Sequence, residues 1–253
     1  MSQTAKRTVI ITGGIKGLGK AMALELAKQN YNLVLNYFSD DRTAQETLDT
    51  CKQLTSNVML FKGDVSRRSE VEAMMSATTE RFGSLDVLIN NAGLNIDKPL
   101  HQLSDEDWDR VVDSNMKSVF LCSQAASVVM QQQPGEGIIL NLSASTGITG
   151  RKNGLNYCAS KAGVLVMTKC LALELGPKIH VNCILPGLIK TGETTERFDL
   201  DDPASLEKHE QSIPLKRIGQ PEEIATMVSF LLSPAASYIT GQNFSVNGGS
   251  FMN

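Results

Sequence analysis

Thr8-Val9-Ile10-Ile11-Thr12-Gly13-Gly14-Ile15-Lys16-Gly17-Leu18-Gly19 runs from a short apolar stretch into a glycine-rich turn, and a helical pattern follows over Lys20 to Gln29. Four consecutive apolar, mostly β-branched residues without polar alternation read as a strand buried on both faces, the habit of parallel sheets. Strand, glycine turn and helix in that order form a phosphate-binding start, because glycines admit a ligand close to the backbone and a helix N-terminus offers unpaired N–H donors. The spacing from Gly13 is G-x-x-x-G-x-G rather than G-x-G-x-x-G, and by itself it also suits a plain tight turn.

The same alternation continues along the chain. Strands are expected over Asn32 to Tyr37, Val58 to Phe61, Asp86 to Ile89, Ile138 to Leu142, Ile179 to Leu185 and Asn243 to Val246. Between them lie helical patterns over Arg42 to Leu54, from a Ser66 cap to Phe82, from Ser104 onward, over Leu155 to Leu175 and over Glu222 to Leu232. Asn115 falls in mid-helix, where asparagine is unfavourable and invites a local backbone hydrogen bond. Residues 188–215 are polar and interrupted by proline, which predicts an irregular, mobile lid. No repeat, linker or second core breaks the pattern, so the chain reads as one α/β domain over residues 1–253.

Composition excludes several classes. Of the 253 residues, 42% are hydrophobic and 20% charged, an ordinary globular balance rather than that of a disordered chain. A net charge of −3 offers no basic field for nucleic acid or anionic lipid. Met1 to Arg7 is short and polar, with nothing like a secretory leader, and no apolar run approaches the length needed to span a bilayer. Five cysteines (51, 122, 158, 170 and 183) include no CxxC pair and no metal-ligand spacing, which predicts buried, reduced thiols and a cytoplasmic protein without a bound metal.

The chemistry is concentrated in Tyr157-Cys158-Ala159-Ser160-Lys161. Residues four apart share a helical face, and an ammonium near a phenol favours its ionised form, which suits proton transfer. Alone, the pair also fits a half-buried helix start with a solvated lysine. The second strand ends in Asn36-Tyr37-Phe38-Ser39, with no carboxylate before Asp40. An acid there would hold the ribose of NAD and repel a 2′-phosphate, so its absence leaves NADP open. Lys16 and Arg42 are the candidate cations for that phosphate, and each also fits plain surface.

Taken in order, the glycine turn, Asn90-Asn91-Ala92-Gly93, Asn115, the serine-rich strand end, Tyr157-x-x-x-Lys161, Pro186-Gly187 and the stretch from Ser237 to Gly249 resemble the short-chain dehydrogenase/reductase family over nearly the entire chain. The likeness is greatest to 3-oxoacyl-[acyl-carrier-protein] reductases. It implies a single-domain Rossmann-type, doubly wound sheet of about seven parallel strands with helices on both faces, a cofactor half over about 1–150, and a catalytic and substrate part over about 138–253. It implies NADP(H) as cofactor, with Gly13, Lys16, Gly17, Leu18 and Gly19 along the pyrophosphate, Asp64 and Val65 at the adenine, and Asn91, Ala92 and Gly93 on the adenosine ribose side. Pro186, Gly187, Ile189 and Thr191 would face the nicotinamide. Tyr157 would be the acid/base, Lys161 would lower its pKa and bind the ribose, and Asn115 would hold a water in the proton path. The implied substrate is a small-molecule or carrier-bound ketone, the setting fatty-acid biosynthesis, and the assembly a homotetramer.

One position departs from the family. The serine usually found thirteen residues before the tyrosine is Ala144 here, flanked by Ser143 and Ser145. A bulge could bring Ser143 into that place, the tyrosine could act unaided, or the protein could be a weakly active cofactor binder; an NAD-dependent secondary-alcohol or polyol dehydrogenase is the alternative among enzymes.

Overall fold

The computed structural model describes residues 6–252; most of the polar start, Met1 to Ala5, and Asn253 lie outside them. The chain alternates β1 (Thr8–Ile11), α1 (Gly17–Lys28), β2 (Asn32–Tyr37), α2 (Asp41–Lys52), β3 (Val58–Lys62), α3 (Arg68–Phe82) and β4 (Val87–Asn90). There follow α4 (Asp105–Val112), a π-helical turn over Asp113–Lys117, α5 (Ser118–Gln132), β5 (Gly137–Leu142), the short α6 (Thr146–Thr149) and α7 (Leu155–Leu175). The chain closes with β6 (Ile179–Pro186), α8 (Gly192–Phe198), α9 (Pro203–Ser212), α10 (Pro221–Leu232) and β7 (Asn243–Val246).

The seven strands form one parallel sheet in the order β3-β2-β1-β4-β5-β6-β7, with Ile10 opposite Val34 on one side and Leu88 on the other. Side chains alternate across it as the strand period requires. Val9, Ile11, Leu33, Leu35 and Ile89 pack on one face against Met22 and Leu26 of α1 and Val228 and Leu231 of α10. Ile10, Val34, Leu88, Ile139 and Val181 pack on the other against Met74 of α3 and Met130 of α5. Helices cover both faces, which is why the central strands carry no polar alternation.

The chain winds outward from β1 through β2 to β3 and then returns to place β4 on the opposite side of β1. Open parallel sheets bind ligands at such a reversal, outside the carboxyl ends of the strands. The two loops that leave those ends are the glycine turn and Asn91-Ala92-Gly93.

Three expectations are corrected. Ser66 does not cap α3: its N–H and hydroxyl both donate to Asp64 Oδ1, and the helix begins two residues later. Cys170 is exposed, whereas the other four thiols are buried. The 188–215 segment is not irregular. It holds α8, capped by Thr191, and α9, capped by Asp202 with Pro203 in its first turn. Neither helix buries a residue fully, so the apolar period that marks a helix was absent from the sequence. The segment rests on its own small cluster of Leu200, Ile213 and Ile218 with Phe198 and Leu206.

That thin base makes local opening cheap. Amide exchange over 192–212 is therefore expected to be faster than in β1, β4 and β5 of cofactor-bound protein, and protection equal to those strands would count against a moving lid. Among the described residues, no helix is long and apolar enough to cross a membrane.

Candidate active site

The glycine turn is fastened to its neighbours by Asn91, which the sequence reading had assigned to the ribose side, and by Thr12 and Asn36, to which it gave no such role. Thr12 Oγ1 accepts from the N–H of Asn91 at 2.9 Å and of Ala92 at 3.0 Å, and Asn91 Nδ2 donates to the carbonyls of Thr12 and Gly13. Asn36, buried at the end of β2, accepts from Gly13 N–H and donates to the carbonyls of Phe61 and Gly63. The loops after β1, β3 and β4 are thereby held together at the switch point. A buried asparagine bonded to three backbones has no periodic signature; its only sequence signal is a polar residue inside an apolar strand.

α1 begins at Gly17, three residues earlier than its apolar pattern indicates, so Gly17, Leu18 and Gly19 form its first turn. Gly13 and Gly17 have φ of 61° and 51°, a region other residues enter at a cost. A Cβ on Gly19 would lie 2.1 Å from the Gly13 carbonyl oxygen, so only glycine lets the helix seat on the turn. The N-cap, Lys16, makes no side-chain cap, and no acid stands in the first turn. The leading N–H groups therefore lack a side-chain acceptor, which is the arrangement an anionic diphosphate completes. The residues present fit a dinucleotide. Asp64 turns its carboxylate toward Ser66 and Arg67, while Val65 is buried in the core beside it.

At the other end of the crevice, Tyr157 and Lys161 lie on one face of α7, as their spacing implies. Asn115, in the π-helical turn, is fully buried: its Oδ1 accepts from Leu94 N–H at 2.6 Å, and its Nδ2 donates to the Leu94 carbonyl and to Ser160 Oγ. The side chain is thus occupied in tying this turn to the chain after β4 and to α7. The local backbone hydrogen bond expected of a mid-helix asparagine is not made: the backbone partner is Leu94, 21 residues earlier, and the helix widens here into a π-helical turn. A Cβ on Gly93 would meet Asn115 Oδ1 at 3.2 Å and Lys161 Nζ at 3.7 Å, so amide, ammonium and backbone converge on one point.

Lys161 is 5% exposed, and its Nζ donates to the Leu142 carbonyl at 2.9 Å. Burial pushes its ammonium down to about 8. Nζ stands 5.8 Å from the centre of the Tyr157 ring. Burial raises the Tyr157 phenol; Arg151 and then Arg197 pull it down, and Glu193 and Cys158 push it up. Arg151 is thus the nearer cation to the phenol, at 4.6 Å from the ring centre, and nothing in the spacing of the sequence pointed to it.

Ser143 is corrected as a substitute donor. Its Oγ donates to the Lys161 carbonyl at 2.8 Å, so its proton is committed to the backbone of α7, and no bulge turns it to the crevice. β5 runs regularly to Leu142 in register with Ile184. Ala144 leaves that place without a hydroxyl.

The far wall is the start of the 188–215 segment. Gly187 N–H donates to the Val246 carbonyl beside Pro186, and buried Ile189 pairs with Gly219. Thr191 Cγ2 would stand 3.5 Å from a Cβ on Gly17, so this segment begins directly beside the glycine turn. Among the described residues, no cluster of His, Cys, Asp and Glu could hold a metal.

Comparison with known proteins agrees with this geometry. A family model described as Enoyl-(Acyl carrier protein) reductase matches residues 13–250. The chain is 40% identical over 250 residues to a 3-oxoacyl-[acyl-carrier-protein] reductase of Staphylococcus aureus, covering 97% of this chain and 98% of the relative. It is 39% identical over 245 residues to Glucose 1-dehydrogenase 2 of Bacillus subtilis, covering 96% and 94%. The crystal structure of a short-chain dehydrogenase/reductase (Glucose/ribitol dehydrogenase) from Brucella melitensis superposes with a TM-score of 0.88 at 34% identity, covering 98% and 97%.

Proposed function

The chain belongs to the short-chain dehydrogenase/reductase family, and on that premise we propose that it is an NADP(H)-dependent reductase of a ketone, most suitably a 3-oxoacyl thioester on acyl carrier protein. The observation that carries the reading is the convergence of Lys161 and Asn115 beside Gly93, with the Tyr157 ring centre 5.8 Å from Lys161 Nζ, one loop away from a diphosphate-ready glycine turn. A bound nicotinamide dinucleotide supplies the hydride. Tyr157 gives its phenolic proton to the carbonyl oxygen as the alcohol forms, Lys161 holds the ribose and takes part in restoring that proton, and Asn115 keeps the two helices in place. Asn91 to Gly93 and Pro186 to Thr191 form the opposing walls.

The choice of NADP(H) rests on Lys16. It is exposed at the mouth of the turn, whereas Arg42 is paired with Glu46 along α2 at 2.9 Å and Asp40 is engaged as that helix's cap. An ionised contact to the 2′-phosphate is worth roughly 1.5–3 kcal/mol. NADPH is therefore expected to bind about tenfold or more tighter than NADH, and Lys16→Ala to bring the two together. Equal binding in the unsubstituted protein would reverse the assignment.

The similarity to a glucose dehydrogenase favours a second reading, oxidation of a sugar or polyol. Steady-state rates separate the two: NADPH with a 3-oxoacyl thioester against NAD or NADP with glucose and ribitol. Exposed Phe120 and Val128 on α5, and Val166 and Leu173 on α7, support a homotetramer built through these helices. A cytoplasmic setting accords with the four buried thiols.

A further inference from the structure

Arg151 lies in the loop between α6 and α7, six residues before Tyr157. Its guanidinium covers the Tyr157 ring, with the central carbon 4.6 Å from the ring centre. Nη2 donates to Asn95 Oδ1 at 2.5 Å and to Asp97 Oδ1 at 2.6 Å. Both partners belong to the chain that leaves β4, the opposite wall of the crevice. Nε is buried and has no hydrogen-bond partner. A Cβ on Gly154 would lie 2.4 Å from it, so the arginine lies flat only because residue 154 is glycine. A guanidinium held by two side chains on one edge, pressed on glycine on another and on an aromatic face has little freedom left. Such exact placement at a surface loop is costly in side-chain entropy and uncommon for a merely solvated arginine.

We propose that Arg151 is a positioning residue for proton transfer: clamped by Asn95 and Asp97 over the ring of Tyr157, it stabilises the phenolate that remains after the proton has left. A cation on a ring face interacts with the π electrons, and more strongly once the phenol carries a full negative charge. The proton still passes from the phenol oxygen to the carbonyl oxygen, and no new reactant is needed. The other groups that face Tyr157 are Lys161 and Cys158 from its own helix and Glu193 and Arg197 from α8. Of these, Glu193 and Arg197 are paired with each other at 3.2 Å and are carried on the lid, so their combined effect is small and depends on its position. Lys161 is directed at Leu142. Arg151 is the fixed cation on the ring.

The inference rests on Tyr157 being the group that transfers the proton, but its test does not need turnover. The chain has four tyrosines, so protein labelled with ¹³C at tyrosine Cζ gives four resonances, and Tyr157→Phe identifies the one of interest. In Arg151→Met, Tyr157 is expected to titrate at higher pH than in the unsubstituted protein, by more than Tyr31, Tyr37 or Tyr238 moves. In Arg151→Lys part of the effect returns. In Asp97→Asn, where the arginine loses its counter-ion, Tyr157 is expected to titrate at lower pH. General loosening of the loop would move Arg151→Met and Asp97→Asn in the same direction, so opposite signs support the proposal and like signs overturn it. An unmoved Tyr157 resonance in Arg151→Met also overturns it. The alkaline limb of kcat/KM, where a substrate is turned over, should shift with the resonance. A shifted resonance with full turnover in Tyr157→Phe would instead refute the functional reading and leave the electrostatic clamp standing.

Discussion

Tyr157→Phe is expected to lower turnover by about 10²–10⁴, the range that a positioned general acid contributes, while NADPH affinity stays within a factor of about two. The substitution keeps the ring under Arg151 and removes only the hydroxyl, so the packing of α7 against Asn115 through Ser160 is untouched. A loss in kcat that is matched in kcat/KM would mark an interaction made only in the transition state. Retained turnover would remove Tyr157 from the mechanism. The serine-type donor missing at Ala144 makes this test sharper, because Ser143 is bonded to the Lys161 carbonyl and offers no second proton source on that strand end.

Lys161→Met should inactivate the enzyme and yet stabilise the cofactor-free protein near neutral pH. An ammonium buried with the Leu142 carbonyl as its hydrogen-bond partner sits in a poor solvent, which is why its pKa falls from 10.5 to about 8. That lowering corresponds to roughly 3 kcal/mol of penalty on the charged form. Leaving the Leu142 carbonyl unpaired costs about 1–3 kcal/mol, so the net gain is on the order of 1 kcal/mol.

The sign depends on pH in a defined way. Below pH 8 the folded and unfolded chains both carry the proton, and the full penalty applies. Between about 8 and 10.5 the unfolded chain keeps a proton that the folded chain has released, so stability rises with pH and the advantage of methionine fades. Cys51 and Cys122, whose thiols burial pushes up to about 11 and 12, remove stability above about pH 9 in both proteins and cancel in the comparison. Cys183, pushed up to about 12 by burial, is drawn down by Lys161, so in the methionine variant its thiol rises further and adds to the loss of advantage at alkaline pH. Urea denaturation of the two proteins at pH 7 and pH 9 measures the difference. A methionine variant that is less stable at both, or equally shifted at both, would show that Lys161 is not held against its own desolvation. A residue that weakens the fold where it sits is in keeping with a functional use.

Much of the architecture was legible because its causes are local. Thr8–Ile11 followed by Gly13, Gly17 and Gly19 gives a strand, a glycine turn and a helix start from local residues alone, and the helix expected over about Leu155 to Leu175 has those bounds. The pairing of Tyr157 with Lys161 followed from the helical period alone. The helices of 188–215 were missed because α8 and α9 bury no residue fully and so carry no apolar stripe; Asp202-Pro203, a cap and a first-turn proline, was a signal that could have exposed α9. Local chemistry thus determined which segments fold as strand or helix and which side chains share a helical face. It could not determine strand order, the meeting of Asn115 with Ser160 and Gly93, the turning of Ser143 toward α7, or the placement of Arg151 over Tyr157. Those were decided by tertiary structure, since each depends on residues far apart in sequence whose directions are set only when both faces of the sheet are packed and every buried polar group must find a partner.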